Sequence, residues 1–506
     1  MKKRVFALVL ALCLVLSLPV YALESSSFSG GKLSGLTMQE DGSMLVTDVY
    51  NKVIWRVADG KASRFAGVIP VAGITGEPGG VYRNGAVDEA YFMEPWGIAP
   101  FLEGYAVTDG DMIRYIANGR VMTLAGSDKA GNKDGSAKEA TFDHPTGIAA
   151  APDGSLYVAD TGNGTIRHIT KSGEVTTITR NLNAPTGVCW YEGVLYVAET
   201  GRCRILKVTT GGGVHVIAGV STPAEDNGEF YGGYVDAAPD KAKFDHPQGV
   251  AVGSDGTIYV ADTGNRAVRA IGDKRVYTVL RSTTSAITPA SPRGLLVSGE
   301  TLYLADAFAG TLTDLSIAQK RYSDVAANAW YADGVNTATR YGIVSGLGDT
   351  FQPDKLMDRA MFVSMLSHMH QLADGTVIID GDATFKDVAA DAPYAAAVRW
   401  AADNEIVRGN GDDTFAPDRG ISRQELAALL YRYAQSQGLN VSGLSSTIRN
   451  FKDGDQVSDW AMESMSWACT QHILNGDDQH NLNPRGPATR AQALTMLLNF
   501  MENYGI

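Results

Sequence analysis

The chain has 506 residues, too many for a single hydrophobic core, and carries a net charge of −13 with four cysteines. The acidic balance excludes nucleic acid as a general partner, because phosphate binding needs a basic face. Four cysteines, one of them in the leader, exclude a disulfide framework.

The first element is "MKKRVFALVLALCLVLSLPVYA". Lys2, Lys3 and Arg4 precede an unbroken apolar run, and Val20-Tyr21-Ala22 sets small residues where a signal peptidase reads them, so residues 1–22 are predicted to be an export signal cut after Ala22. "LALC" at 10–13 superficially suggests a lipoprotein site, but Leu12, not a small residue, precedes Cys13, so lipidation is not expected. Loss of the leader removes Cys13 and three positive charges, leaving −16. No later stretch has about 18 consecutive apolar residues, so no membrane span is expected. Cys189, Cys203 and Cys469 remain: Cys189 and Cys203 either pair within one repeat or stay thiols, and no spacing such as CxxC marks a metal site.

A repeat follows. "HPTGIAAAPDGSLYVADTGNGTIRHI" at 144–169 returns as "HPQGVAVGSDGTIYVADTGNRAVRAI" at 246–271. A glycine that opens one apolar run and an acid that closes the next recur six times, 12 or 13 residues apart: Gly35 with Asp48, Gly97 with Asp109, Gly147 with Asp160, Gly187 with Glu199, Gly249 with Asp262, and Gly294 with Asp306. Two strands joined by a tight Asp-Gly turn fit that interval, and third and fourth strands follow, such as "TIRHI" and "VTTITR". Four short antiparallel strands repeated six times predict the blades of a propeller. The sixth copy lacks a fourth strand before the chain changes character, and residues 25–30 are expected to supply it and close the ring.

The pattern P-x-G-[IV]-A, then D-G-x-[LI]-Y-V-A-D-T-G-N, then I-R resembles the NHL-repeat propeller family. Connectors keep the same register at Ala90-Phe92-Pro95, Ala140-Phe142-Pro145 and Ala242-Phe244-Pro247. The resemblance implies an all-β, six-bladed propeller over residues 23–318. Relatives of that fold include lyases that hold zinc on the axis with histidines, which directs attention to His144, His168, His215 and His246. His144 and His246 occupy equivalent places but blade two has Glu94 there, so they are read as turn residues of the repeat. The six blade-ending acids suggest a calcium site or carboxylate ring; the reading favoured here is that they bond backbone amides in neighbouring turns. No cofactor is therefore expected, calcium or zinc in the propeller being the alternative.

After residue 320 a different repeat begins. "YSDV", "FKDV" and "FKDG" place Asp324, Asp387 and Asp453; "YGIVSG", "NEIVRG" and "QHILNG" place Gly346, Gly409 and Gly476; "DRAMF", "SRQEL" and "TRAQA" place Arg359, Arg423 and Arg490. Each copy reads as helix, loop, helix. Val335 and Ala338, Val398 and Ala401, and Met465 and Ala468 mark the apolar face of the first helix, while Phe362, Leu426 and Ala493 begin that of the second. Ser422 with Glu425 and Thr489 with Gln492 fit capping boxes, whereas repeat one offers Asp358 but Met361 in the reciprocal position.

This arrangement resembles the S-layer homology family, whose TRAE motif appears as Ser422-Arg423-Gln424-Glu425, Thr489-Arg490-Ala491-Gln492 and, most weakly, Asp358-Arg359-Ala360-Met361. The resemblance implies an all-α module of three repeats, 322–372, 385–434 and 451–501, that holds exported proteins on the cell wall through secondary cell-wall polysaccharide, often bearing a pyruvate ketal. A guanidinium in the first turn of a helix, beside free backbone amides, can clamp such a carboxylate with two parallel hydrogen bonds. The nine residues at the three marks are the candidate polysaccharide site, and the degenerate motif around Arg359 marks the weakest pocket. The overall reading is a secreted, non-catalytic, multidomain surface protein whose propeller binds a glycan, peptide or protein; the competing class is a wall-anchored propeller enzyme, a metal-dependent lyase or hydrolase.

Overall fold

The computed structural model describes residues 20–22, 31–70, 81–223, 230–272, 275–281, 289–317, 322–344, 348–374, 385–443 and 447–504. One compact unit ends at Ala318 and another begins at Gln319. Among the described residues, no helix is long and apolar enough to cross a membrane.

The first unit is a six-bladed propeller. Blade three shows the plan: Pro145–Ala150, Leu156–Asp160, Thr165–Ile169 and Val175–Thr179 pair antiparallel in that order. Its second strand, "LYVAD", is buried at every residue, because neighbouring blades cover both faces of the sheet. The turn into it is set by Asp153, whose Oδ1 accepts from the Ser155 amide at 2.9 Å, with Gly154 at φ 84°. Blade two adds a short fifth strand, Gly85–Ala86, at its outer edge.

The glycine of each P-x-G motif sits at a register shift in the innermost strand. That bulge turns its Cα toward the next blade. A Cβ on Gly35, Gly97, Gly147, Gly187, Gly249 or Gly294 would collide with the carbonyl oxygen of Trp96, Thr146, Thr186, Gln248, Arg293 or Ser34 respectively. The six contacts form a closed cycle, since blade six returns to blade one. Threonines lock the same seam: Thr47 Oγ1 donates to Trp96 O at 2.6 Å and Thr108 Oγ1 to Thr146 O at 2.6 Å.

The connector marks are core residues. Phe92, Phe142 and Phe244 are fully buried between blades, with Ala90, Ala140 and Ala242 beside them. Blade six is completed by an N-terminal strand, Val20–Ala22, paired with Thr313–Leu315. Closure by the N-terminus thus occurs, with a segment that precedes the expected one; residues 25–30 lie outside the described residues.

The second unit is all-helical. Its helices are α1 (Ala332–Arg340), α2 (Arg359–Asp374), α3 (Ala395–Asp403), α4 (Arg423–Ser436), α5 (Met462–Thr470) and α6 (Arg490–Tyr504). The apolar faces expected from periodicity form its core: Phe362, Leu366, Leu426, Leu430, Ala493 and Leu497 are all fully buried. The first helix of each repeat packs on the second helix of another: α3 on α2, α5 on α4, and α1 on α6. The module therefore closes a threefold cycle, and no repeat buries its face alone.

The hydrogen bonding repeats that cycle at the helix starts. The Met357 amide donates to Ala488 O, the Ala488 amide to Ile421 O, and the Ile421 amide to Met357 O, each at 2.9 Å. Both capping boxes form, Ser422 with Glu425 and Thr489 with Gln492, while Asp358 Oδ1 accepts only the Met361 amide at 2.7 Å.

Candidate functional site

In the propeller, the blade-ending acids bind backbone amides. Asp160 Oδ1 accepts from the Asp143 amide (2.8 Å), Asp109 Oδ1 from Met93 and Glu94 (both 2.7 Å), and Asp306 from the amides of Ala290, Ser291, Phe308 and Ala309. In three blades the other carboxylate oxygen meets an arginine of the third strand: Arg114 with Asp109 (2.7 Å), Arg167 with Asp160 (2.8 Å) and Arg269 with Asp262 (2.9 Å). These guanidinium groups are fully buried and lie over Phe92, Phe142 and Phe244 at 5.3, 4.9 and 5.2 Å. The acid, the arginine and the connector phenylalanine are one structural unit. Burial pushes the Asp262 carboxyl up to about 6, against the pull of Arg269.

The histidines do not converge. His144 and His246 stand in left-handed turns (φ 46° and 48°), each Nδ1 against the preceding aspartate, Asp143 at 2.8 Å and Asp245 at 2.6 Å. Asp143 raises the His144 pKa above its ordinary value. His168 packs against Tyr157, ring centroids 4.8 Å apart and tilted by 32°, where burial lowers its pKa, and His215 lies in an outer strand. Two groupings nevertheless bring ligand-type atoms within 4.8 Å of one another: Asp111 with Asp143 and His144, and Cys203 with Asp245 and His246. Cys189, Cys203 and Cys469 are free thiols, and burial raises the Cys189 pKa to about 11 and that of Cys469 to about 12. The inner strands surround an axial cavity of about 430 Å³.

In the helical module the three aspartates share one task. Asp324 takes the amides of Phe351 and Gln352, Asp387 those of Phe415 and Ala416, and Asp453 those of Leu482 and Asn483, all at 2.7 Å. Gln352, Ala416 and Asn483 have φ of 57°, 56° and 48°, so each carboxylate pins a left-handed residue. Gly409 and Gly476 provide close approach: a Cβ on Gly409 would stand 2.8 Å from the Phe385 ring, and one on Gly476 2.5 Å from Phe451. Gly346 lies outside the described residues.

Each arginine faces the following repeat in the cycle. Arg359 Nε donates to Phe415 O at 2.9 Å, its guanidinium lies 4.8 Å above that ring, and Nη1 is 3.9 Å from Glu425 Oε1. Arg423 Nη2 donates to Gln492 Oε1 at 2.6 Å. Arg490 lies 4.9 Å above Phe351, with Nη1 2.6 Å from the Met361 sulfur. Arg359 and Arg490 are buried, whereas Arg423 is half-buried. Burial holds all three below the usual arginine value.

Two expectations change. The amides beside the arginines are not free: those of Arg359 and Ala360 donate to Arg419 O and Pro417 O, those of Arg423 and Gln424 to Gly486 O and Pro484 O, and those of Arg490 and Ala491 to Lys355 O and Pro353 O. Met361 lies opposite Arg490, not Arg359, because the seam between repeats is the structural unit. The sequence reading also missed the loops that supply those carbonyls. "FQPD", "FAPD" and "LNPR" are a recurring mark that identifies them.

A family model for the S-layer homology domain matches residues 321–361, 384–427 and 450–494. Models for the Teneurin NHL domain and the NHL repeat match residues 176–272 and 142–169. An amylopullulanase of Thermoanaerobacterium thermosulfurigenes is 29% identical over 37% of this chain and 10% of its own length. The surface-layer 125 kDa protein of Lysinibacillus sphaericus is 27% identical over 34% of this chain and 14% of its own. The chain thus spans a small fraction of either relative. Among solved structures, a catalytically inactive virginiamycin B lyase from Staphylococcus aureus aligns with a TM-score of 0.40 and 16% identity, over 59% of this chain and 98% of that one.

Proposed function

The chain is a six-bladed NHL-type propeller followed by three S-layer homology repeats, a cell-wall-anchored surface protein, and on that premise we propose that its helical module grips secondary cell-wall polysaccharide in the seams between repeats while the propeller is displayed to bind a ligand. What supports the reading is the threefold recurrence of an arginine at each seam, held against the next repeat: Arg359 on Phe415 O, Arg423 on Gln492, and Arg490 on Met361 and over the Phe351 ring. A pyruvate ketal brings a carboxylate to an otherwise neutral sugar, and a guanidinium fork matches it.

The seams are unequal. Arg423 is the most exposed of the three seam arginines and meets a neutral amide, Gln492, which an incoming carboxylate outcompetes as acceptor. Arg359 is already partly balanced by Glu425, itself held by Arg419 at 2.5 Å. Arg490 is only 2% exposed and lies over the Phe351 ring. Arg423 is therefore assigned the principal clamp.

The test is sedimentation of the full chain with isolated walls that carry pyruvylated polysaccharide. A charge-assisted pair contributes about 1.5–3 kcal/mol, so Arg423→Ala weakens binding by about tenfold to a hundredfold. Arg423→Lys restores part of it, since an ammonium lacks the planar fork. Arg359→Ala has the smaller effect. Undiminished binding to walls stripped of the polysaccharide or made without the ketal refutes the reading.

A further inference from the structure

Immediately before the six ring glycines stand Ser34, Trp96, Thr146, Thr186, Gln248 and Arg293, which lie at one level of the axial cavity by the symmetry of the blades. Among the residues lining that cavity, Arg293 is the one charged group. Its guanidinium stacks on the Trp96 ring, 4.7 Å from the centroid. Ser34, the residue of the intervening blade, is small enough to let the two meet. Arg293 makes no hydrogen bond among the described residues, and its Nε is buried without an acceptor. Asp306, the acid nearest in effect, is already saturated by four backbone amides.

Neighbouring hydroxyls are committed elsewhere. Thr146 Oγ1 bonds Thr161 Oγ1 at 2.6 Å, and Thr186 Oγ1 bonds Thr200 Oγ1 at 2.6 Å. A buried donor left without an acceptor, as Arg293 Nε is, costs free energy that a bound acceptor returns. The other end of the cavity is lined by Pro100, Ala150, Trp190, Val252 and Val297. At about 430 Å³ the cavity falls within the range of about 300–1,000 Å³ usual for small-molecule sites.

We propose that the propeller axis binds a small organic carboxylate with a largely apolar body, its carboxylate on the fork of Arg293 and its body along the apolar end of the cavity, flanked by Trp96. The proposal rests on the reading of the propeller as the displayed, ligand-binding part. A cation at the axis of a chain with net charge −13 gives that site the sign its surroundings lack.

Calorimetric titration of the full chain uses 3-phenylpropionate as probe, with 3-phenylpropanol and inorganic phosphate as comparisons. Saturable binding of the acid is expected, with the alcohol and phosphate each at least about tenfold weaker. Arg293→Gln loses about tenfold or more in affinity for the acid, and Arg293→Lys loses less. Equal affinity for acid and alcohol, phosphate binding as tight as the acid, an unchanged Arg293→Gln variant, or no saturable binding at millimolar acid each overturns the assignment. The acid–alcohol comparison needs no variant and so stands even if a substitution fails to fold. Wall sedimentation of the same preparations reads anchoring separately, so failure of one reading is distinguishable from failure of the other.

Discussion

Replacing Arg167 with methionine tests whether the acid–arginine–phenylalanine unit holds the blades. Arg167 is fully buried; it bonds Asp160 (2.8 Å), Asp134 (2.8 Å), Thr141 O (2.9 Å) and Lys133 O (2.8 Å), and lies over Phe142. Methionine fills much of the volume without strain but leaves Asp160 buried with only the Asp143 amide and Asn163 Nδ2 as donors. Breaking a buried pair from one side costs about 3–5 kcal/mol, and at about 2–4 °C per kcal/mol for a domain of this size the propeller should melt roughly 6–20 °C lower. Adding Asp160→Asn removes the stranded charge, so the double variant should recover a sizeable part of the loss. Thermal unfolding followed by near-ultraviolet circular dichroism, with hydrogen exchange over residues 165–179, measures both. A loss below about 1 kcal/mol, or a double variant no more stable than Arg167→Met, refutes the reasoning.

Two further outcomes follow from the described geometry. A chain beginning at Leu23 lacks the strand Val20–Ala22 that pairs with Thr313–Leu315 and should melt lower than one that keeps it; equal melting temperatures would exclude that strand from closure, and N-terminal sequencing of the exported protein reports whether Val20–Ala22 survives to fill that edge. Burial opposes ionisation of Glu425, but its bonds from Arg419 and from Ser422 outweigh that and hold its pKa below the ordinary 4.5. The stability it contributes is thus present above pH 4.5 and lost as the pH falls through the depressed value, and Glu425→Gln should flatten that acid limb in pH-dependent denaturation of the module.

Both folds were legible because repetition is a linear signal. The interval from Gly147 to Asp160, repeated six times, defines two strands and a turn wherever it occurs, and the heights of Phe362, Leu426 and Ala493 in their helices follow from a 3.6-residue period. Capping boxes at Ser422 and Thr489 were equally readable, since their reach spans only three residues.

What the sequence alone determined, then, is every feature whose physical cause lies within one repeat: strand and helix periods, turns and caps. Tertiary structure decided whatever arises between repeats. The collision of each ring glycine with the next blade's carbonyl, the pairing of Val20–Ala22 with Thr313–Leu315, the placement of Met361 against Arg490, and the capture of helix-start amides by another repeat's loop all join residues far apart in the chain. Closing a ring brings the last repeat against the first, and a linear pattern carries no information on which side chains then face one another across the seam. For that reason Arg293, one of six unlike residues preceding the ring glycines, was silent in the sequence and became a candidate site only when the blades set it beside Trp96 on the axis.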